Sequence, residues 1–135
     1  MEMIVIVGMV VLLMTGIVAG TTTSLSRSET SQIRSVALSH AQSGIELARA
    51  KRDSGWAAFA LLGTPPTTYC VGADGVFNTG TCTVNMDGKY IRSVTLQLTT
   101  VSLVSTMKVT SRVVWGDTAN PSNAVQLTTY LTEWK

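Results

Sequence analysis

The hydrophobic pattern divides the chain into three parts. Residues Met3–Ala19 are almost uniformly apolar, with Glu2 as the charged residue beside them. From Leu25 onward, apolar residues recur every three or four positions, which is the pattern of an amphipathic helix. Beyond residue 80, apolar and polar residues alternate, as they do in strands that bury one face. The sequence therefore predicts an α+β fold, in which a long N-terminal helix packs on a small antiparallel sheet.

The first part of the predicted helix is apolar enough to enter a membrane. A helix over Met3–Ala19 is roughly 25 Å long, slightly less than the hydrocarbon core of a bilayer, and tilt or local thinning makes up the difference. Gly16 and Gly20 form a small-xxx-small pattern that allows close helix contacts, although glycine is also common in membrane helices without that role. We expect residues 1–24 to be a transmembrane and assembly segment. A cleaved signal peptide is the alternative, but no basic residue precedes the run.

Residues 25–55 are expected to continue the same helix. The apolar stripe of this part consists of Ile33, Val36, Ala37, His40, Ala41, Gly44, Leu47 and Ala48. Asp53-Ser54-Gly55 supplies residues that end helices, and Trp56 and Phe59 are expected to cover the junction that follows. His40 is the one histidine of the chain, so a metal site lacks ligands and a structural role on the stripe is favoured.

Residues 56–135 are predicted to form the β head. Leu61–Phe77 is rich in Gly and Pro and predicts a loop with one short strand. Three longer strands follow as a meander, and a three-residue loop, Met86-Asp87-Gly88 with Gly88 left-handed, is expected to join a fourth strand around Cys82–Val84 to the first of them. The inward positions are Tyr90, Val94, Leu96 and Leu98, then Met107, Val109, Val113 and Trp115, then Val125, Leu127 and Leu131. The expected core between helix and sheet is Ile33, Val36, Leu47, Trp56, Leu96, Leu98 and Val113.

The two cysteines predict a disulfide bond. Cys70 and Cys82 are twelve positions apart, which matches neither a redox CxxC motif nor a zinc site. A disulfide formed in an oxidising compartment is favoured over two buried thiols, and it is worth about 2–4 kcal/mol to a small head.

The residue inventory argues against an enzyme. No base stands near a candidate nucleophile, and no phosphate-binding glycine loop is present. We therefore predict no catalytic residue, no cofactor and no metal. A net charge of +2, with 13% charged residues, also makes a nucleic-acid partner unlikely on electrostatic grounds.

The N-terminal residues resemble a known family. Glu2 before an apolar run, an uninterrupted long helix, and Ala41-Gln-Ser-Gly-Ile-Glu-Leu-Ala-Arg49 leading to Asp53-Ser-Gly-Trp56 are similar to type IV pilin-like proteins, above all minor pilins and secretion pseudopilins. The resemblance covers about the first 56 residues. It implies a filament subunit that is held in the inner membrane before assembly, with an extracytoplasmic head, and that later joins an extracellular or periplasmic filament.

The resemblance also implies partners and one site residue. The partners are other pilin-like subunits, inner-membrane lipid, an assembly platform and a prepilin peptidase. The family's acidic residue corresponds to Glu2, and in the family it meets the N-terminal amine of a neighbouring subunit; Glu2, Gly16 and Gly20 are the assembly residues we predict. Family precursors carry a basic leader ending in Gly, and the alternatives are a leader upstream of Met1 or a chain that is not processed in this way.

A second function class stays open. The head can instead be a membrane-anchored binding domain, similar to an adhesin, that is displayed on the cell envelope. An aromatic or basic cluster on the solvent face of the sheet would favour this alternative.

Overall fold

A computed structural model describes the backbone of residues 2–83, 86–116 and 123–133, and the side chains within these ranges except at 2–5, 11–13 and 15–28. The elements are α1 (Glu2–Ser54), α2 (Trp56–Leu62), β1 (Thr67–Val71), β2 (Phe77–Thr79), β3 (Tyr90–Val101), β4 (Val104–Trp115) and β5 (Ala124–Thr132). Contacts divide the chain into a first unit, Met1–Ser35, and a second unit, Val36–Lys135. A long helix and an antiparallel sheet confirm the α+β class.

Helix α1 ends where the breaker residues predict. The Ser54 hydroxyl donates to the carbonyl of Lys51 (2.7 Å), and the Gly55 amide donates to the carbonyl of Arg52 (3.1 Å). Gly55 has a φ of 156°, which favours glycine and redirects the chain. The seven-residue helix α2 then begins at once, and it was not predicted. It carries Phe59 into the core with 1% of its surface exposed.

The sheet has five strands in the order β2-β1-β3-β4-β5, and all neighbours are antiparallel. The β3-β4-β5 meander is therefore confirmed. The expectation of a fourth strand around Cys82–Val84 is wrong for residues 80–83, which lie outside any strand, and Val84 lies outside the described residues. The additional strands are β1, which is the one short strand expected within Leu61–Phe77, and β2, which begins at the last residue of that segment and was not expected. The three Gly and two Pro of Leu61–Phe77 lie before β1 or between β1 and β2 rather than inside a strand.

The turn before β3 differs from the prediction by one position. Met86 forms a bridge with Tyr90, so the three-residue loop consists of Asp87, Gly88 and Lys89. Asp87 (φ 49°) and Gly88 (φ 62°) are both left-handed, as in a type I′ turn. The left-handed Gly88 was predicted, but the loop was placed one residue too early.

The core of the second unit lies between small residues of α1 and the inner face of the sheet. Within residues 36–54 of the helix, the buried residues are Ala37, Ala41, Gly44, Ile45 and Ala48. Leu96 and Val113 are fully buried, and Leu47, Trp56 and Leu98 are half-buried against the core cluster. Val36 requires correction: it is 36% exposed, because the small side chain of Ala37 takes the buried position at this level. Ile33 belongs to the first unit.

Candidate functional site

The first unit exposes an apolar helical surface. The described apolar side chains near its start are 47–66% exposed: Ile6, Val7, Met9, Val10 and Met14. Such a surface has a lower free energy in contact with a partner that is less polar than water. Glu2, Gly16 and Gly20 have helical backbones, and their surroundings lie outside the described part of the structure. Within the described residues, no helix is long and apolar enough to span a membrane.

The second unit is held together around one buried arginine. Arg92 lies on the inner face of β3, and only 1% of its surface is exposed. Its Nε donates to the carbonyl of Val71 (3.0 Å), and its Nη2 donates to the carbonyl of Gly72 at the end of β1. Its Nη1 donates to the hydroxyl of Ser43 (3.1 Å) and, at 3.4 Å, to the carbonyl of His40 on α1. One side chain thus links three elements: helix α1, strand β1 and strand β3.

The electrostatics of Arg92 follow from its burial. Desolvation lowers the pKa of the guanidinium from its usual value, and the carboxylate of Asp74 opposes that shift by favouring the charged form. A buried guanidinium requires hydrogen-bond acceptors, and backbone carbonyls provide most of them here. The Arg92 side chain therefore has a structural role: its hydrogen bonds hold α1, β1 and β3 together.

Close approach of helix and sheet depends on Gly44. A Cβ built on Gly44 would lie 2.4 Å from Oγ of Ser111 and 3.3 Å from Cδ of Arg92. Ser111 is fully buried, and its Oγ has no hydrogen-bond partner among the described residues. The absence of a side chain at position 44 is what allows α1 to lie this close to β4.

His40 contacts the turn that precedes β3. Its Nε2 lies 2.9 Å from Oδ2 of Asp87, and this nitrogen forms no hydrogen bond with the described residues. Its ring lies 5.2 Å from that of Tyr90, which in turn lies 6.4 Å from Trp115. This aromatic row supports the structural role that was predicted for His40, and the described residues include no cluster of three or more potential metal ligands.

The outer face of the sheet is polar in its middle. Thr68, Thr95, Thr110 and Thr128 form one row across four strands. Hydroxyl pairs join Thr68 to Thr95 (2.8 Å) and Thr110 to Thr128 (3.3 Å). Lys108 and Arg112 are the charged outward residues of the described parts of β3, β4 and β5. Two separated cations do not form the basic cluster that would favour a binding head.

One end of the outer face is apolar. The hairpin between β3 and β4 turns through Ser102 (φ 51°) and Leu103 (φ 69°), and Leu103 is 97% exposed. Val101 and Val104 beside it are each 50% exposed, and Tyr130 on β5 is 57% exposed. Left-handed backbone at two non-glycine residues is unfavourable, so the conformation that exposes Leu103 lowers the stability of the folded chain.

The predicted disulfide is present. Cys70 on β1 bonds to Cys82, with the two Cα atoms 5.2 Å apart. The bridge closes a loop that contains β2 and Asp74. It thereby stabilises the segment whose carbonyls at residues 71 and 72 receive the Arg92 side chain.

Sequence reasoning missed two of these features. Arg92 lies between Tyr90 and Val94 at an inward position of the alternating pattern. That position was the sequence signal that its side chain is buried. The exposed hairpin tip left no comparable signal. No family model matches the chain, and no curated protein or solved structure is significantly similar to it.

Proposed function

We propose that this chain is a structural subunit of a type IV pilus-like filament or secretion pseudopilus, and that it polymerises through its N-terminal helix. The observation that carries the proposal is the exposed apolar surface of the first unit, formed by the five side chains from Ile6 to Met14. In water such a surface is unfavourable, at roughly 25 cal/mol per Å² of apolar area. Lipid before assembly, and the helices of other subunits afterwards, would each remove it from water.

Three further features support this function. Helix α1 continues from Glu2 to Ser54 and supplies the buried helical face of the second unit, so one element serves both parts of the chain. The Cys70–Cys82 disulfide fits a head located outside the cytoplasm. The residues around Ala41–Arg49 and Asp53–Trp56 carry the resemblance to pilin-like proteins. Under this proposal the subunit resides in the inner membrane with an extracytoplasmic head before it joins the filament.

Glu2 has a specific role in this proposal. A carboxylate at the edge of the hydrocarbon region is unfavourable unless it is paired, so we assign Glu2 to an ion pair with the N-terminal amine of a neighbouring subunit. The small residues Gly16 and Gly20 would let adjacent helices approach closely. The partners of the chain are accordingly other pilin-like subunits, inner-membrane lipid, an assembly platform and a prepilin peptidase.

The test is to express the full chain in its native host and to follow it through cell fractionation and surface shearing. We expect the chain in the membrane fraction and in sheared filaments seen by electron microscopy. Glu2→Ala should keep the membrane fraction and lose the filament fraction, whereas Glu29→Ala, at a solvent-exposed acid of the same helix, should leave both unchanged. Normal entry of the Glu2→Ala chain into filaments would refute the role of Glu2, and a chain found as a soluble monomer would refute the function.

A further inference from the structure

A second candidate site lies at the C-terminal end of α1. A cleft of about 550 Å³ is lined by Arg52, Asp53, Gly55, Trp56 and Glu133. These residues come from the end of the long helix, from the start of α2 and from the segment after β5, so the fold brings together positions that are about 80 residues apart in the sequence. The volume lies within the range of small-molecule sites.

Some polar atoms of the cleft can form hydrogen bonds with a ligand. Nε and Nη2 of Arg52 both contact Oδ1 of Asp53, at 2.8 and 2.7 Å. Among the described residues, Oδ2 of Asp53 and Nη1 of Arg52 make no other hydrogen bond, so the first can accept one and the second can donate one. The Glu133 carboxylate adds two further acceptor oxygens. The cleft thus offers both donors and acceptors to one ligand.

The apolar part of the cleft is an indole ring. Trp56 is half-buried, and its ring lies 6.0 Å from that of Phe59, which belongs to the core. This contact holds the indole in place, so little side-chain entropy is lost when a ligand packs on it. Gly55 also lines the cleft; it has a φ of 156°, and a Cβ built on it would meet no atom within 4 Å.

We propose that this cleft binds a neutral saccharide. A sugar ring has an apolar face of C–H groups that suits an indole, and its hydroxyls both donate and accept hydrogen bonds, as the free groups of the cleft require. Among the described lining residues, two carboxylates and one guanidinium give a formal charge of −1, which disfavours phosphates and acidic sugars. Arg52 in turn disfavours a cationic side chain. The hydroxyls of a neutral sugar would pair with these donors and acceptors without bringing a further charge into the cleft.

The inference does not depend on filament assembly. It concerns residues of the second unit, and a filament subunit or a binding head can each carry such a cleft. Failure of the assembly test with Glu2→Ala leaves saccharide binding unaffected, and failure of saccharide binding leaves assembly unaffected.

The test is a titration of the full chain in a detergent without a sugar headgroup. The probes are the trisaccharides of N-acetylglucosamine, of α-linked glucose and of β-linked glucose, and binding is followed by saturation-transfer NMR and calorimetry. We expect at least one trisaccharide to bind with a dissociation constant of about 1 mM or less. Asp53→Asn and Glu133→Gln should each weaken that binding by about tenfold, because each removes charge-assisted hydrogen bonds from the cleft.

The matched control is Glu46→Gln, an exposed acid on the same helix that does not line this cleft. It should bind the trisaccharide with unchanged affinity. Trp56→Phe is a second variant that keeps an aromatic ring in contact with the core, and it should bind more weakly while its thermal midpoint shows that the head is folded. Binding of no trisaccharide, binding that is insensitive to both acid variants, or binding of a lysine tripeptide in place of the sugars would overturn the proposal.

Discussion

Oγ of Ser111 lies 2.4 Å from the position that a Cβ on Gly44 would occupy. Helix α1 and strand β4 therefore meet at a residue that has no side chain. Around this contact the helix presents alanines, and the sheet presents Arg92 and the buried Ser111. This close packing holds helix α1 against the sheet at the level of Gly44.

Gly44→Ala is expected to destabilise the head by about 1–3 kcal/mol, because overpacking outweighs the gain of up to about 1 kcal/mol from alanine in a helix. Chemical unfolding followed by circular dichroism measures the change. Ser111→Ala alone should be neutral or stabilising, since it removes a buried hydroxyl that has no partner. The double variant should recover most of the loss, and equal losses in the single and double variants would show that the contact is not the cause.

Arg92→Lys is expected to destabilise the head by about 2–4 kcal/mol. A lysine keeps the charge but cannot donate to the carbonyls of Val71 and Gly72 and to Ser43 at once, because its donors leave a single nitrogen. Arg112→Lys, an exposed position on the outer face, is the matched control and should change the free energy of unfolding by less than about 0.5 kcal/mol. Similar small changes at both positions would show that the buried network adds little to stability.

Reduction of the Cys70–Cys82 bond is expected to lower the free energy of unfolding by about 2–4 kcal/mol, as for a closed loop of this length. The measurement compares thermal midpoints with and without a reductant. The variant with Cys70→Ser and Cys82→Ser should match the reduced protein and should not respond to the reductant. A midpoint that is equal in all four samples would contradict the stabilising role of the bridge.

The hairpin tip offers a stabilising substitution. Ser102→Asn with Leu103→Gly replaces two left-handed residues by the pair that type I′ turns prefer, and it should raise stability by about 1 kcal/mol. Unfolding in urea measures the gain. The matched control is Lys89→Gly in the other turn, where the residue is exposed and its φ is not positive, and it should give no gain. An unchanged or lower stability of the tip variant would show that the left-handed residues carry no strain.

The alternating pattern predicted most of the sheet because burial on one face imposes a period of two on β3, β4 and β5. It did not identify Arg92 as buried, because most of the acceptors that allow its burial are backbone carbonyls from distant segments, which the pattern does not show. It also missed β2, since this strand has three residues and is defined by its pairing with β1. Val36 was placed in the core because apolarity does not distinguish it from Ala37, whereas the close approach at Gly44 favours small residues on this face. The cleft at Trp56 was not predicted, because Glu133 is far from Trp56 in the sequence and lies beside it only in the folded chain.

The most direct test of the proposed function is the accessibility of single cysteines in intact cells that produce the filament. Met9→Cys lies on the exposed apolar surface of the first unit, and Lys89→Cys lies in an exposed turn of the head. The native cysteines are bonded to each other, so a maleimide reagent reports only on the introduced thiol. The account predicts that the thiol at position 89 is labelled and that the thiol at position 9 is protected, both in the membrane and in sheared filaments. Equal labelling at both positions, in a chain recovered as a soluble monomer, would contradict it.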